Sequence, residues 1–465
     1  MKSEIVEELE KIVGSRWIIT NKDGKLDYLV DETPSAVRPK PSDNVVVVKP
    51  ANAEEISKIL TLANAFNIPV FPRGGGTGLV GGAIPTKEGI LLSLERLSRI
   101  IEIDMENLMI VVEAGVTFKR LKAVVEEANL FFPPHPGDEA AHVGGLVACN
   151  AGGARALRHG VMKNHVKGIE VVLPTGEILK LGGKMLKNVS GYDLMSLIIG
   201  SMGTLGVITK VIFRLYPKFQ ETATLVIPYH RRLEALTTVC KILQAGMIPL
   251  AIEYVERDLM ERSARQIGKK WSVKEGEVFL LMVVTGRNTE ELLFSAERID
   301  NIARENSAID TLVARSKRKQ NEILTIRSKI YPMLKPFTMD ILDLAIPPAL
   351  FAHFMDTLDE IAAKYNTHFP TFGHAGDGNL HTHILTKKAG GIRKSDLPKI
   401  KEEIYSMTID LGGAITAEHG IGKIRTENLN QHSNKELMNL MKKIKRIFDP
   451  NNILNPGTVL HQSQV

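Results

Sequence analysis

The sequence predicts a mixed α+β protein of two or three domains, and three observations support this fold class. First, 465 residues are more than one ordinary hydrophobic core accommodates. Second, the chain opens with a β-α-β pattern at 45–71 and continues to about residue 215 with strands separated by glycine-rich loops. Third, longer helices alternate with strands from Lys218 to about residue 415. A domain boundary is therefore expected near Tyr216-Pro217.

The first regular element is expected after a polar lead-in of about 40 residues with scattered prolines. Val45–Val48 is typical of a buried strand. A helix should begin after Asn52, because Glu55 follows it by three residues, as in a capping box, and apolar residues then recur on one face. Residues 68–71 predict a second short strand.

The region from 90 to about 215 should consist mainly of strands, interrupted by one amphipathic helix from Phe118 to Ala128. The predicted strands are 90–94, 109–112, 169–173, 178–181 and 207–213, and the glycine-rich loops are 74–82, 144–153, 182–183 and 200–206. The clearest later strands are 224–227, 250–254 and 278–284, and the chain closes with a helix at 436–448 and a turn-rich terminus.

Composition and charge exclude several functional classes. Cys149 and Cys240 are the only cysteines, too few for a disulfide framework, a zinc ribbon or an iron–sulfur cluster bound by this chain alone. The net charge of +6 is partly local, in basic runs at 315–319 and 442–446. With 5% aromatic residues and none interleaved with these runs, we interpret them as solvated helix faces or as a docking surface for an acidic protein, not as nucleic-acid sites.

The sequence also predicts a protein without a membrane span. No apolar run approaches the roughly 18 residues that a membrane helix needs. The N-terminus carries Glu4 and Glu7 where a signal peptide would need an uninterrupted apolar stretch. We therefore expect a cytoplasmic location.

The densest glycine cluster runs from Arg73 to Gly82, and residues 76–81 satisfy the G-x-G-x-x-G dinucleotide pattern. A Rossmann motif requires that turn to open a helix, whereas Pro85, Gly89 and a predicted strand follow here. We reject the Rossmann interpretation and retain a loop whose backbone N–H groups hold a pyrophosphate. An NAD-linked dehydrogenase remains a weaker alternative.

A second cluster contains histidines and carboxylates. His374, Asp377, His381 and His383 lie within ten residues, and Glu418 and His419 follow as neighbours between small residues. Residues two apart on a strand share a face, and the Gly-Asp-Gly turn lets His374 fold back toward His381. Two imidazoles and a carboxylate suit zinc, ferrous iron or manganese, although a purely structural role of these residues is equally compatible with the spacing.

These motifs, together with several shorter ones in order, resemble a known family. They are 71–83, 135–138, 143–145, 150–153, 182–184, 191–194 and 203–209. The set is similar to the FAD-linked D-2-hydroxy-acid dehydrogenases, in the glycolate oxidase large-subunit and D-lactate dehydrogenase branch of the vanillyl-alcohol-oxidase type flavoproteins. The resemblance spans about residues 40 to 457.

The resemblance implies a fold and a domain division. Residues 1–216 are expected to form a two-lobed FAD-binding domain with its core from about residue 40. Residues 217–415 are expected to form a substrate-binding cap with an antiparallel sheet covered by helices. Residues 416–465 should return to the FAD domain as a C-terminal segment.

The resemblance also implies how FAD is held. Related flavoproteins often attach FAD through a histidine in the glycine loop, where this chain has glycine and threonine, so we expect non-covalent FAD. The implied cofactor-binding residues are Pro72, Arg73, Gly74, Gly75, Gly76, Thr77, Gly78, Gly81, Gly82, Pro136, Gly137, Asp138, Val143, Gly144, Gly145, Asn150, Gly152, Gly153, Gly160, Gly206, Val207, Ile208 and Asn455. The family usually has Glu where this chain has Met202.

The metal and catalytic residues follow from the same resemblance. It implies His374, His381 and Glu418 as ligands of Zn²⁺ or Fe²⁺, with Mn²⁺ as a further option, and leaves His383 outside the direct ligands. His419 matches the family's catalytic base, and Arg327 its substrate-carboxylate arginine.

The implied activity is oxidation of a small D-2-hydroxy acid, D-lactate to pyruvate or glycolate to glyoxylate, with hydride transfer to flavin N5. Ile341 stands where hydroxyglutarate-oxidising members show a lysine, which favours the smaller acids. Electrons should pass to an electron-transferring flavoprotein or an iron–sulfur subunit. D-2-hydroxyglutarate dehydrogenase and a non-catalytic FAD relay subunit are the alternatives, and the sequence is compatible with a homo-oligomer.

Overall fold

The computed structural model describes residues 2–461. Met1 and residues 462–465, the outer ends of the predicted N-terminal domain and C-terminal segment, lie outside the described residues.

The first lobe is a small, mostly parallel sheet covered by helices. Its strands are β1 (Ile18–Ile19), β2 (Val45–Val48), β3 (Val70–Arg73) and β4 (Gly89–Ser93), and its helices are α1 (Ser3–Val13), α2 (Lys22–Lys25) and α3 (Ala53–Ala65). The strand order is β1-β2-β4-β3, in which β2, β4 and β3 are parallel and β1 is antiparallel to β2. The glycine loop therefore joins two parallel strands and opens no helix.

The N-terminal end of this lobe corrects one prediction. The segment expected as a polar lead-in contains α1, α2 and β1, and α1 buries Ile5, Leu9 and Val13 against the first-lobe core. Their spacing of four residues is helical, but charged residues between them mask it in the sequence. The predicted start of α3 is confirmed, because the Asn52 side chain accepts a hydrogen bond from Glu55 N at 2.8 Å.

The second lobe is an antiparallel sheet with short helices. Its strands are β5 (Ile100–Asp104), β6 (Met109–Glu113), β8 (Val166–Val172), β9 (Ile178–Gly182) and β10 (Val207–Arg214), with the separate pair β7 (Leu130–Phe131) and β11 (Tyr216–Pro217). Its helices are α4 (Phe118–Glu127), α5 (Val143–Ala148), α6 (Ala156–His159), α7 (Met162–His165) and α8 (Leu194–Ile198). The five-stranded sheet has the order β5-β6-β10-β8-β9.

The chain then builds a larger antiparallel sheet between two helical layers. The strands are β12 (Glu221–Tyr229), β13 (Ala251–Glu256), β14 (Val278–Gly286), β15 (Leu312–Ala314), β16 (Thr338–Ala345), β17 (Thr371–His374) and β18 (Asn379–Leu385), in the order β15-β12-β14-β13-β17-β18-β16. The helices are α9 (Arg232–Gln244), α10 (Arg257–Gln266), α11 (Thr289–Glu305), α12 (Lys317–Ser328), α13 (Ile330–Leu334), α14 (Phe351–Lys364) and α15 (Leu397–Asp410).

Alternation along the strands separates the two cores of this sheet. On β12, Leu225 and Ile227 pack with α9, α11, α14 and α15, whereas Val226 packs with α10, α12 and α13. This is the period-2 pattern of a sheet buried on both faces. The predicted antiparallel cap covered by helices is thereby confirmed.

After the cap, the chain returns to the first lobe. The last helices are α16 (Thr426–His432) and α17 (Lys435–Phe448), and the following segment runs beside β3, where Val70 N donates to Ile453 O and Asn455 N donates to Val70 O, each at 2.8 Å. Among residues 2–461, we find no helix with the length and apolarity needed to cross a bilayer.

Candidate active site

The glycine loop after β3 lies against the start of α5 in the second lobe. A methyl group on Gly74 would lie 3.2 Å from His142 Cβ, and one on Gly75 would lie 2.6 Å from Ala140 O. Gly76 has a φ of +71°, a left-handed conformation that glycine adopts without strain. Residue types with a Cβ would therefore push the two lobes apart here.

The far end of the loop is held by the C-terminal segment. Asn455 Nδ2 donates to Gly82 O at 3.1 Å and to Met202 O at 2.9 Å. Lys423 Nζ donates to Asn455 Oδ1 at 2.9 Å and to Thr458 Oγ1 at 2.7 Å, and burial lowers the pKa of Lys423 to about 7. Loop 74–82 and the turn around Met202 are thus tied to one asparagine.

Around the glycine loop, part of the backbone is not covered by neighbouring side chains. Within residues 2–461, nothing beyond their chain neighbours lies within 4 Å of a methyl group placed on Gly137 or Gly145. The buried Nδ1 atom of His142, beside Gly74, has no hydrogen-bond partner among the described residues. Open backbone and a buried imidazole nitrogen without a partner fit the phosphates of a dinucleotide cofactor.

The other predicted cofactor residues occupy varied positions. Arg73 directs its guanidinium to the N-terminal segment, donating to Val30 O at 2.7 Å and Asp27 O at 2.9 Å. Asp138 is exposed and accepts from Ala140 N at 2.7 Å. The remaining segments of the predicted set are the end of β3 at Pro72, the loop residues Thr77, Gly78 and Gly81, the segment Pro136–Gly137, α5 from Val143 to Gly145, the turn at Asn150, Gly152 and Gly153, the end of α6 at Gly160, and Gly206 with Val207 and Ile208 of β10.

The predicted histidines lie on one hairpin of the cap sheet. His374 ends β17, and His381 lies on β18, where it pairs in register with Phe372. Both imidazoles are buried, and their ring centroids are 5.3 Å apart. The Nε2 atoms lie 3.8 Å (His374) and 3.5 Å (His381) from Oε1 of Glu418, so three predicted ligands converge on one point.

A buried carboxylate lies behind each of these imidazoles, within hydrogen-bond distance of His374 and farther from His381. His374 Nδ1 lies 2.5 Å from Glu253 Oε1, and His381 Nδ1 lies 3.4 Å from Asp343 Oδ1. Carboxylates at Nδ1 orient the rings and leave Nε2 to a ligand, the usual arrangement behind metal-bound histidines. The donor set therefore fits a divalent cation.

Asp343 also shapes the turn that carries Glu418 and His419. Its Oδ2 accepts from the backbone N atoms of Ala417, Glu418 and His419 at 3.0, 2.8 and 2.7 Å. Although full burial would raise the pKa of Asp343, the neighbouring His419, His381 and Arg425 hold it well below its usual value. The ionised carboxylate thus binds the turn and lies close to the imidazoles of His381 and His419.

His419 is placed beside this cluster. Its ring stacks on that of His381 with centroids 5.2 Å apart and planes 9° from parallel. His419 Nε2 lies 4.0 Å from Glu418 Oε1, and burial lowers the pKa of the imidazole below its usual value. Lowering the pKa favours the neutral ring, the form that accepts a proton.

Among the described residues, one group of four side chains is geometrically compatible with a cation, and it shares His381 and Glu418 with the predicted ligands but does not contain His374. Asp343, His381, Glu418 and His419 offer ligand atoms within 4.8 Å of one another. Because the Oδ2 atom of Asp343 already accepts four hydrogen bonds, we favour it as a support, and we favour His374, His381 and Glu418 as the ligands.

The remaining candidates surround this cluster. Arg327 forms an ion pair with Glu253, and its guanidinium carbon lies 4.9 Å from the centre of the Phe372 ring. The ring of His383 stacks on that of Phe372 with centroids 5.1 Å apart. The Asp377 carboxylate accepts from Asn379 N at 3.3 Å in the hairpin turn, and burial raises its pKa to about 6.

One contact joins the candidate metal ligands His374, His381 and Glu418 to the predicted FAD site around the glycine loop 74–82, which we call the glycine-lined region. A methyl group on Gly152 would lie 2.7 Å from Glu418 Oε2. Met202 reaches the same boundary, because Gly422 N lies 3.2 Å from its Sδ atom. The two predicted sites are therefore adjacent.

Sequence reasoning missed Glu253 and Asp343 as site residues. Each is a buried carboxylate on a mostly apolar strand, β13 for Glu253 and β16 for Asp343, and a buried charge of that kind requires partners. The carboxylates on these strands could have been noticed in the sequence. Their histidine partners could not have been identified, because they are distant along the chain.

Comparison with known proteins agrees with this architecture. A family model described as FAD binding domain matches residues 45–182, and one described as FAD linked oxidases, C-terminal domain, matches residues 218–459. The chain belongs to the FAD-linked oxidase family and is an FAD-dependent oxidoreductase.

Similar proteins place it more narrowly. It is 42% identical to a D-lactate dehydrogenase of Archaeoglobus fulgidus, over 98% of this chain and 99% of that protein. It is 35% identical to the glycolate oxidase subunit GlcD of Bacillus subtilis, over 98% and 96%. The resemblance found in the motifs is confirmed by these relatives.

Solved structures share the fold at low identity. A p-cresol methylhydroxylase with substrate bound superimposes with a TM-score of 0.80 at 16% identity, covering 99% of this chain and 97% of that one. A 4-ethylphenol oxidase from Gulosibacter chungangensis gives 0.79 at 18% identity, covering 100% and 98%. The predicted fold class is confirmed.

Proposed function

We propose that the protein oxidises a small D-2-hydroxy acid, D-lactate to pyruvate or glycolate to glyoxylate, with FAD and a divalent cation. The convergence of His374, His381 and Glu418 beside His419 carries this proposal. The names of the relatives, D-lactate dehydrogenase and glycolate oxidase subunit, support the same substrate class.

The candidate residues have separate roles in the proposed dehydrogenation. His374, His381 and Glu418 would hold the cation, which supplies Lewis acidity that lowers the pKa of a substrate hydroxyl. His419, neutral because burial lowers its pKa, accepts the hydroxyl proton. Bound non-covalently, FAD would supply the hydride acceptor that conversion of the hydroxy acid to a 2-oxo acid requires.

Arg327 is the candidate for holding the substrate carboxylate, because a guanidinium binds a carboxylate through two parallel hydrogen bonds. It is paired with Glu253, but its buried Nε atom has no hydrogen-bond partner among the described residues, so donor capacity remains for a ligand. Ile341 is buried and apolar at the position where the resemblance places a lysine in hydroxyglutarate-oxidising proteins. The absence of that cation at residue 341 favours a substrate with one carboxylate.

The reduced flavin requires an electron acceptor. Cys149 and Cys240 are both free thiols and too few to hold an iron–sulfur cluster. We propose an electron-transferring flavoprotein or an iron–sulfur subunit as the partner, and the word subunit in the name of the Bacillus subtilis relative is consistent with such an assembly.

An anaerobic visible spectrum before and after adding D-lactate tests the proposal. The flavin bands should bleach with D-lactate and not with L-lactate, and glycolate is the second substrate to add. Bleaching only with D-2-hydroxyglutarate would contradict the inference from Ile341. Flavin bands that none of these acids bleach would favour the non-catalytic relay subunit.

A further inference from the structure

A loop of the second lobe exposes an unusual amount of apolar surface. Between β9 and α8, Val189 and Tyr192 are each 96% exposed, and Leu186 is 59% exposed. Leu194 and Leu197 of α8 continue the same surface. Several exposed apolar side chains within one short segment indicate an interaction site.

Helix α17 extends this surface. The core buries only some of its apolar side chains, and Leu437, Leu440 and Ile447 remain exposed. A groove of about 250 Å³ between α8 and α17 is lined by Leu197 from one side and Met441 and Ile444 from the other. We call residues 185–197 together with α17 the α8–α17 surface.

The charge around this surface is mainly positive. The basic side chains are Lys187, Lys435, Lys442, Lys443 and Arg446, and none of them forms an ion pair with another described residue. Asp193 and Glu436 are the acidic side chains in the same segments. Two copies of this basic surface would repel each other, whereas an acidic protein would be attracted.

The groove also reaches the wall of the glycine-lined region. The buried residues Thr204 and Asn455 are among those that line it. Asn455 is the residue that donates to Gly82 O and to Met202 O. One layer of residues therefore separates the groove from the loop that our proposal assigns to FAD.

We propose that the α8–α17 surface is the docking site of an acidic electron-transfer protein, one of whose apolar side chains enters the groove. Its role as an electron exit rests on the proposed function. The reduced flavin gives up two electrons, singly to a one-electron carrier, returns to the oxidised form and releases its proton to water. A concave groove suits an inserted protein side chain better than a lipid surface does.

The test uses the FAD-loaded full chain and the soluble domain of cytochrome b5 as an acidic haem-protein probe. The variant K442E/K443E/R446E is compared with R315E/K317E/R318E, which changes the net charge equally but lies at α12 of the cap. The flavin is reduced with stoichiometric dithionite, so the measurement does not depend on oxidation of any hydroxy acid.

We expect the second-order rate of haem reduction to fall at least about tenfold in the α17 variant and to change less than about twofold in the α12 variant. Calorimetric binding of the cytochrome should weaken in parallel, and reduction of a small dye should stay unchanged. Equal rates in the two variants would overturn the proposal. So would loss of binding to anionic lipid vesicles, or of self-association, in the α17 variant with an unchanged cytochrome rate.

Discussion

At the level of single residues, Asp343 connects the cap sheet with the C-terminal segment. One oxygen accepts from three consecutive backbone N–H groups at 417–419, and the other faces His381 and accepts from Asn379. A neutral amide at this position would present a donor where the native residue only accepts. The ring of His381 and the turn carrying Glu418 would both lose a support.

We predict that Asp343→Asn weakens divalent-metal affinity about 10- to 100-fold, the usual effect of losing a residue that orients metal ligands. Asp340→Asn is the matched control, since Asp340 is equally buried on β16 but pairs with Lys401 at 2.8 Å on the opposite face. Titration calorimetry with Zn²⁺ and Mn²⁺ measures both. Equal losses in the two variants would mean a general packing effect.

His419 carries the second prediction at this scale. His419→Ala removes the proposed proton acceptor, and loss of a positioned base typically costs about 10²- to 10⁴-fold in rate. The rate of anaerobic flavin bleaching by D-lactate should fall by that factor while FAD stays bound. His353→Ala, at an exposed position on α14, should bleach normally. Unchanged bleaching in His419→Ala would disprove its assignment as base.

At the level of elements, α17 is fastened by one buried ammonium group. Lys445 Nζ donates to Thr204 O and Leu454 O, each at 2.8 Å, and to Asp449 Oδ2 at 2.5 Å. The same carboxylate accepts from Leu454 N at 2.8 Å. This network joins α17 to the turn before β10 and to the segment beside β3.

We predict that Lys445→Met destabilises the fold by about 3–5 kcal/mol, because it leaves the buried Asp449 carboxylate unpaired. Denaturant unfolding followed by circular dichroism measures the loss. The double variant Lys445→Met/Asp449→Asn should recover part of the lost free energy of unfolding. Lys443→Met, on the exposed face of the same helix, should unfold like the unmodified protein.

Element prediction succeeded where periodicity and local turn chemistry agree. The strand at 45–48 and the cap of α3 at Asn52 are confirmed, since both depend on neighbours in the sequence. The rejection of a Rossmann helix is confirmed as well, because Pro85 and Gly89 lead directly into β4. The first helix was missed because charges interrupt its apolar face.

At the level of the whole molecule, the candidate site exists only where three parts of the chain meet. The cap contributes His374 and His381, the C-terminal segment contributes Glu418 and His419, and the second lobe approaches at Gly152. Cation and FAD would therefore bind in adjacent but separate surroundings.

We predict that a chelator removes hydroxy-acid oxidation without releasing FAD, because the glycine-lined region contains none of the proposed metal ligands. Flavin absorbance after gel filtration measures retention, and bleaching by D-lactate measures activity. Zn²⁺, Mn²⁺ and, without oxygen, Fe²⁺ are then added back one at a time. Bleaching should return with the physiological metal. Full activity in a protein shown to be metal-free would contradict the proposed role of the cation.

Local sequence was sufficient for much of this protein. Residues 71–83 are a glycine loop without a helix, and 374–381 bring two imidazoles together across one turn, so both motifs were recognisable from spacing. Apolar runs and alternation also predicted several strands, among them those at 45–48, 207–213 and 278–284, whereas the strand at 100–104 and the short helices at 143–148 and 194–198 were missed.

Tertiary structure decided the partners that spacing cannot show. Glu253 lies 121 residues before His374 in the chain, and Asp343 lies 76 before His419, yet each pair meets in the folded protein. The tertiary structure likewise directs Arg73 toward the N-terminal segment and pairs Arg327 with the Glu253 carboxylate. Helical and strand periodicities report only local neighbours, whereas buried charges take whichever opposite charge or hydrogen-bond donor the packed chain brings within reach.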